Sequence, residues 1–187
     1  MNYNIIEDKN KIIIENILDF NPKHIFECGQ CFRWYVEEDE SYTTIAYGKV
    51  LNVKKVENSI ILSNTNMKEF HDIWYNYFDL DKDYWSIKKE LSKDPILKEA
   101  IKFGQGLRIL NQEPYETLIS FIISANNQIP RIKKAVKLIS TDLGEYAGTW
   151  NGKEYYSFPK PDKLANLDVE YIKEKYRVGF RADRIKE

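Results

Sequence analysis

The sequence predicts an α+β protein: an antiparallel sheet domain with flanking helices over residues 1–112, then an all-helical region over residues 113–187. Three observations carry this prediction. Short β-branched runs occupy the first 65 residues, the apolar period turns helical from Met67 onward, and a nearly all-apolar stretch opens at Pro114.

In the first region Ile12-Ile13-Ile14 is a β-branched run. Phe32–Val36 and Tyr42–Tyr47 flank an acidic turn at residues 37–41. Val50, Val53 and Val56 follow Gly48, and Ile60-Ile61-Leu62 follows Asn58-Ser59. Closely spaced short strands with polar turns predict one antiparallel sheet. Phe70, Ile73, Trp74, Tyr77 and Phe78 then fall at helical spacing, as do Tyr84, Ile87, Lys88 and Leu91. Another helix is predicted after Asp94-Pro95, with a break at Gly104-Gln105-Gly106.

Pro114 suits a helix start, and Leu118–Ile123 is apolar nearly all round, which predicts a central helix in a helical layer. That helix ends at Ala125-Asn126-Asn127-Gln128, and Pro130 suits the first turn of the next. Residues 144–160 read as a connection, and Asp162 to Tyr176 as two short helices. The last helix is only starting at Glu187, which is expected to be short of a complete domain.

Hydrophobic residues make up 43%, charged residues 30% and aromatics 14% of the 187, which excludes a disordered chain. The net charge of −1 does not announce a nucleic-acid binder. Residues 101–187 carry 15 Lys/Arg against 11 Asp/Glu, and residues 1–100 carry 13 against 18. That asymmetry decides nothing by itself, because charge blocks are commonly solvated faces. No stretch approaches a membrane span and the N-terminus is unlike a signal peptide. Two cysteines point to a reducing cytoplasm.

Three places could carry chemistry. Cys28-Gly29-Gln30-Cys31 has the spacing of a redox pair or half a zinc site, with His24 as a third ligand. It runs into a strand-like segment instead of a helix, and a fourth ligand is lacking. The plainer reading is two small buried cysteines around a tight glycine turn, with Gly29 free to let its backbone approach a ligand. Asn126-Asn127-Gln128 with Arg131 offers amides and a guanidinium for base edges or phosphates, or else a polar turn after a helix cap. Phe180-Arg181 after Gly179 pairs a ring with a guanidinium, as a duplex-invading wedge would, or docks its ring on the core. Lys133, Lys134 and Lys137 read as a solvated helix face, and His71 as structural.

Together these places resemble one family, the 8-oxoguanine DNA glycosylases. Glu27–Trp34 is similar to their N-terminal motif, Phe121–Ile132 to their Asn-rich helix-loop-helix, and Val178–Ala182 to their Gly-aromatic-Arg-Ala element. The order of the motifs fits as well, with Phe103–Leu110 between the first two. The resemblance implies a TATA-binding-protein-like sheet domain, then the first part of a helical glycosylase domain. It implies base-excision repair: removal of 8-oxoguanine opposite cytosine, with associated β-elimination at the abasic site. Gly29 would accept the lesion's N7 hydrogen through its carbonyl. Asn126, Arg131 and Arg181 would hold the orphaned cytosine, and Phe180 would wedge beside it where the family often has Tyr. Gln128 replaces a common Asn and is given less weight.

The resemblance also places a DNA-gripping hairpin, a nucleophilic lysine and an assisting aspartate beyond Glu187. The chain alone is therefore expected to be inactive, with no catalytic residue of its own, no cofactor and no metal. Its implied partner is duplex DNA containing 8-oxoguanine. A monomer is expected, cytoplasmic and nucleoid-associated in a prokaryote or nuclear in a eukaryote. The alternatives are a non-catalytic damaged-DNA-binding module, a helical interaction domain, or an alkylated-base glycosylase, against which the residue 28–34 motif argues.

Overall fold

The computed structural model describes residues 3–187. Contacts divide it into two units. The first holds the chain up to Gln30 with Val36–Thr43 and Leu51–Asn111; the second holds Cys31–Tyr35, Thr44–Val50 and Gln112–Glu187.

Strands β1 (Asn4–Asp8), β2 (Lys11–Glu15), β3 (Trp34–Val36), β4 (Tyr42–Ala46), β5 (Lys49–Val56) and β6 (Ser59–Ser63) form one sheet in the order β1-β2-β6-β5-β4-β3. The pairs β1–β2, β2–β6 and β5–β6 are antiparallel. Ile12 lies opposite Leu62 and Ile14 opposite Ile60, and Val53 also faces Leu62. All five are fully buried. The two-residue period of a strand puts them on one face, so a one-residue slip would turn the whole set to the other side.

Rings complete the core of the first unit. Phe20 meets Phe78 edge-on at 5.1 Å, and Phe26 stacks on Tyr42 at 5.5 Å. The predicted helix after Met67 is present as α2 (Met67–Glu69), a π-helical turn (Phe70–Trp74) and α3 (Tyr75–Tyr77). Phe70, Trp74, Tyr77 and Phe78 are all buried along it. Helices α4 (Tyr84–Leu91) and α5 (Pro95–Phe103) follow. Asp83 and Asp94 cap them, each accepting two backbone N–H bonds.

One element departs from the all-β reading of the first 65 residues: helix α1 spans Pro22–Glu27. Asn21 caps it, accepting from the Lys23 N–H, and Pro22 fills the first turn. Its six residues bury Pro22, Ile25 and Phe26, too short a pattern to announce a period.

The second unit contains α6 (Pro114–Ser124), α7 (Ile129–Leu143), the hairpin β7 (Tyr146–Trp150) and β8 (Lys153–Tyr156), α8 (Pro161–Ala165), α9 (Val169–Lys175), a 3₁₀ turn (Gly179–Arg181) and α10 (Ala182–Lys186). Ile119, Ile123, Ile132, Val136, Ile139, Leu164, Ile172 and Tyr176 are among its core. Two expectations fail here. Helix α6 is not enclosed all round: Ile119 and Ile123 are buried, but Leu118 is 57% and Phe121 64% exposed. Among the described residues, neighbours pack on one side of it only. The connection at 144–160 is instead largely a hairpin, whose Asn151-Gly152 turn has positive φ at both positions (48° and 73°), as a type I′ turn requires. No helix among the described residues is long and apolar enough to cross a membrane.

Candidate nucleic-acid interface

In the first unit, α1 ends at Cys28 and the chain reverses through Gly29 at φ +88°. A residue just past a helix end with left-handed backbone is the common glycine position, because a Cβ there strains the chain. A Cβ on Gly29 would meet nothing within 4 Å, so its constraint is conformational, and the residue is exposed. Gln30 holds the turn. Its side-chain nitrogen donates to the carbonyls of Ile25 (2.8 Å) and Arg108 (2.9 Å), and its oxygen accepts from the Leu110 N–H (2.9 Å). Tyr42 donates its hydroxyl to Glu27 at 2.6 Å, anchoring the end of α1.

The cysteines differ from the expectation that both are buried. Cys31 is buried, but Cys28 is exposed, with its thiol directed to the Ile25 carbonyl at 3.4 Å. His24 points its Nδ1 at the Gln105 carbonyl (2.8 Å) and stacks on Phe103, an arrangement unrelated to the thiols.

In the second unit, α6 gives way to α7 through a turn that asparagines build. Asn126 takes the left-handed region at φ +51°, which Asn tolerates better than other residues with a Cβ. The Asn127 side chain donates to the Ile123 carbonyl (3.0 Å) and accepts from the Gln128 N–H (2.9 Å). Asn127 thus serves the turn. Asn126 is exposed, and its side-chain amide has no hydrogen bond among the described residues. Arg131, exposed on the first turn of α7, likewise has no carboxylate partner there.

Arg181 reaches this turn from 55 residues away. Its Nε donates to the Ala125 carbonyl at 2.9 Å, Nη1 to Val178 at 3.0 Å, and Nη2 to the carbonyls of Ala125 and Asn126. A guanidinium has five N–H donors, so four bonds leave one, on Nη1, for another acceptor. The guanidinium is buried, while the adjacent Phe180 ring lies 4.4 Å from it and is 69% exposed. Phe180 therefore does not dock on the core. The structure brings exposed Asn126 and exposed Phe180 together around buried Arg181, with exposed Arg131 one turn further along the chain.

The same unit fixes the residues that follow the glycine turn. Buried Arg33 pairs with Glu116 on α6 (3.1 Å) and donates to the Tyr156 carbonyl. Burial holds the Glu116 carboxyl above the usual range, and the Arg33 charge opposes that only in part. Lys133 is not a solvated side chain: its Nζ donates to the Trp34 carbonyl (2.8 Å) and lies over the Trp34 ring. Gln30, Asn127 and Lys133 were not singled out by the sequence as structural anchors, since their partners are backbone atoms brought near only by folding.

Residues 12–118 match the family model described as "8-oxoguanine DNA glycosylase, N-terminal domain". That is more than half of the chain. The protein belongs to the 8-oxoguanine DNA glycosylase family. Over its whole length it is 46% identical to the Clostridium acetobutylicum 8-oxoguanine glycosylase/lyase, solved with duplex DNA carrying cytosine opposite 8-oxoguanine, with a TM-score of 0.95. It is 55% identical, also over its whole length and at TM-score 0.95, to MBOgg1, solved with a low-affinity DNA ligand. It covers 64% of each of those two chains. A Saccharomyces cerevisiae N-glycosylase/DNA lyase is 29% identical over 177 residues, which are 87% of this chain and 46% of that one. This family member thus spans about half the length of the curated relatives it matches.

Proposed function

We propose that the protein serves base-excision repair by recognising 8-oxoguanine opposite cytosine in duplex DNA, as part of an N-glycosylase with associated abasic-site lyase action. The observation that carries this is the patch around the α6–α7 turn, where an exposed amide without a partner adjoins an exposed ring held by a buried guanidinium. Asn126 and Arg131 supply hydrogen bonds to the cytosine left behind, Phe180 fills the vacated stack, and the free Nη1 hydrogen of Arg181 adds one bond. The Gly29 carbonyl accepts the N7 hydrogen that 8-oxoguanine has and guanine lacks. The protein acts where the genome lies, in the cytoplasm of a prokaryote or the nucleus of a eukaryote.

Bond breaking is not assigned to residues 1–187. A Schiff-base lysine attacks as the neutral amine, so its pKa must be low or a base must be near. Lys173 instead bonds both carboxylate oxygens of Glu170 (2.9 and 3.1 Å), which raises its pKa, and Lys175 lies 3.6 Å from Asp142.

The test is a duplex with 8-oxoguanine opposite cytosine, incubated with residues 1–187 and borohydride, beside an anisotropy titration. Binding that prefers this duplex over the undamaged one and weakens with salt, without a trapped adduct, is the expected result. A trapped adduct would place the nucleophile inside residues 1–187 and overturn the division of labour. Binding indifferent to the lesion would overturn the recognition role.

A further inference from the structure

The second unit contains a cavity that the interface above does not use. It has a volume of about 430 Å³, within the range of ~300–1,000 Å³ common for small-molecule sites. Lys137 and Thr141 reach it from one face of α7, and Lys153, Glu154 and Tyr155 from β8, while Tyr35 forms a wall. Lys137 and Thr141, four apart, share a helix face, and Lys153 and Tyr155, two apart, share a strand face, with Glu154 between them on the alternate face.

The lining combines two chemistries. Tyr35 presents a half-buried ring, backed by the buried ring of Tyr155 (centroids 5.6 Å apart, tilted by 51°) and by Ile45 and Val50 of the same apolar cluster. Lys137 and Lys153 are exposed, and neither ammonium is paired with a carboxylate among the described residues. Lys137 lies 5.8 Å from the Tyr35 ring, close enough for a cation–π attraction that still leaves its N–H donors open. Glu154, whose carboxylate accepts from the Tyr156 hydroxyl at 2.9 Å, adds an acceptor.

We propose that this cavity binds a free purine 5′-mononucleotide, its base against the Tyr35 ring and its phosphate between Lys137 and Lys153. An inorganic anion would leave the rings unused, and a neutral nucleoside would leave both ammoniums unused. Glu154 accepts from the amino group of the base, which favours guanine or adenine over an unsubstituted ring.

The experiment is calorimetric titration of residues 1–187 with GMP, guanosine and inorganic phosphate, repeated on Lys137→Ala/Lys153→Ala. Lys134→Ala is the control, because Lys134 lies on the same helix, is exposed, and does not line the cavity. GMP should saturate, with guanosine and phosphate each at least about tenfold weaker, the factor expected when a charge-assisted contact is lost. The double variant should lose about the same factor for GMP, and the control none. No saturable GMP binding, phosphate binding as tight as GMP, or equal losses in the control and double variant would each overturn the proposal.

Discussion

Arg108 in the first unit and Arg181 in the second are both buried guanidiniums without a carboxylate partner among the described residues, yet they organise different surroundings. Arg108 donates to the carbonyls of Asp19 (2.8 Å) and Asp79 (2.7 Å) and to the Tyr3 hydroxyl (3.1 Å), and lies 4.6 Å from the Tyr84 ring centroid. Each arginine replaces missing secondary structure, satisfying carbonyls where the chain has left its helices and strands. Arg108 itself is fully buried, and its neighbours Phe78, Asp79 and Tyr84 are buried with it. Those of Arg181 include an exposed amide and an exposed ring. The same buried chemistry thus seals a core in one place and fixes a surface for a partner in the other.

The largest expected effect tests the sealed case. Arg108→Met removes the donor to the buried Asp79 carbonyl and the part-buried Asp19 carbonyl, and should lower stability by ~3–5 kcal/mol. Urea unfolding measures it; a loss under ~1 kcal/mol would mean that water or neighbouring groups replace the guanidinium. Arg181→Met should be milder, ~2–3 kcal/mol, because its carbonyls lie nearer solvent. Its loss of affinity for lesion-bearing duplex should exceed that of a merely destabilised variant such as Arg108→Met, compared at temperatures where both are folded.

The contrast also shows which parts of the molecule the sequence discloses. Short β-branched and apolar runs such as Ile12–Ile14 and Ile60–Leu62 and the helix starts at Pro95, Pro114 and Pro130 are local signals, and the structure has those elements. Helix α1 was hidden because six residues with three buried ones do not establish a period, although Asn21-Pro22 is a start signal. The Asn151-Gly152 hairpin was legible in principle, but its aromatic and glycine-rich surroundings resembled an irregular connection. The long-range bonds were not legible at all. Nothing near Arg181 says that its guanidinium ends on Ala125 and Asn126, and nothing near Gln30 says that it clamps Arg108 and Leu110.

A smaller, sharper test separates turn from contact at Asn126. Asn126→Gly keeps the positive φ and removes the amide, so stability should change by only a few tenths of a kcal/mol, while preference for the 8-oxoguanine:cytosine duplex falls about tenfold. Asn126→Ala should lose the same preference and also ~1 kcal/mol of stability, because alanine adopts left-handed backbone less readily than asparagine does. Equal, full-strength binding by both variants would remove Asn126 from the interface.

Glu116 gives a pH signature that no exposed group in the patch shares. Its carboxyl is raised in the folded chain, chiefly by burial, so the folded state holds its proton more tightly than the unfolded one. That contribution is fully present below the unfolded value, near 4.5, and is lost as pH rises through the folded value. Glu116→Gln should therefore gain stability relative to the parent as pH climbs from 4 to 7. A parent-minus-variant difference flat across that window would mean that the Arg33 ion pair cancels the burial.

A comparably small change in stability, and the cleanest test of the surface reading, is expected of Phe180→Ala. The ring is 69% exposed and contributes little to the core, so unfolding should shift by no more than ~0.5 kcal/mol. An exposed ring removed without a stability change isolates its action on the partner, because the Arg181 bonds to Ala125, Val178 and Asn126 remain. Affinity for the lesion duplex should fall while affinity for undamaged duplex barely moves, since only an opened stack receives the ring. Phe180→Tyr should restore the parent behaviour, a tyrosine offering the same flat face. If alanine weakens both duplexes equally, Phe180 acts as a general apolar contact and the wedge reading fails, while the Arg181 turn would stand unaffected.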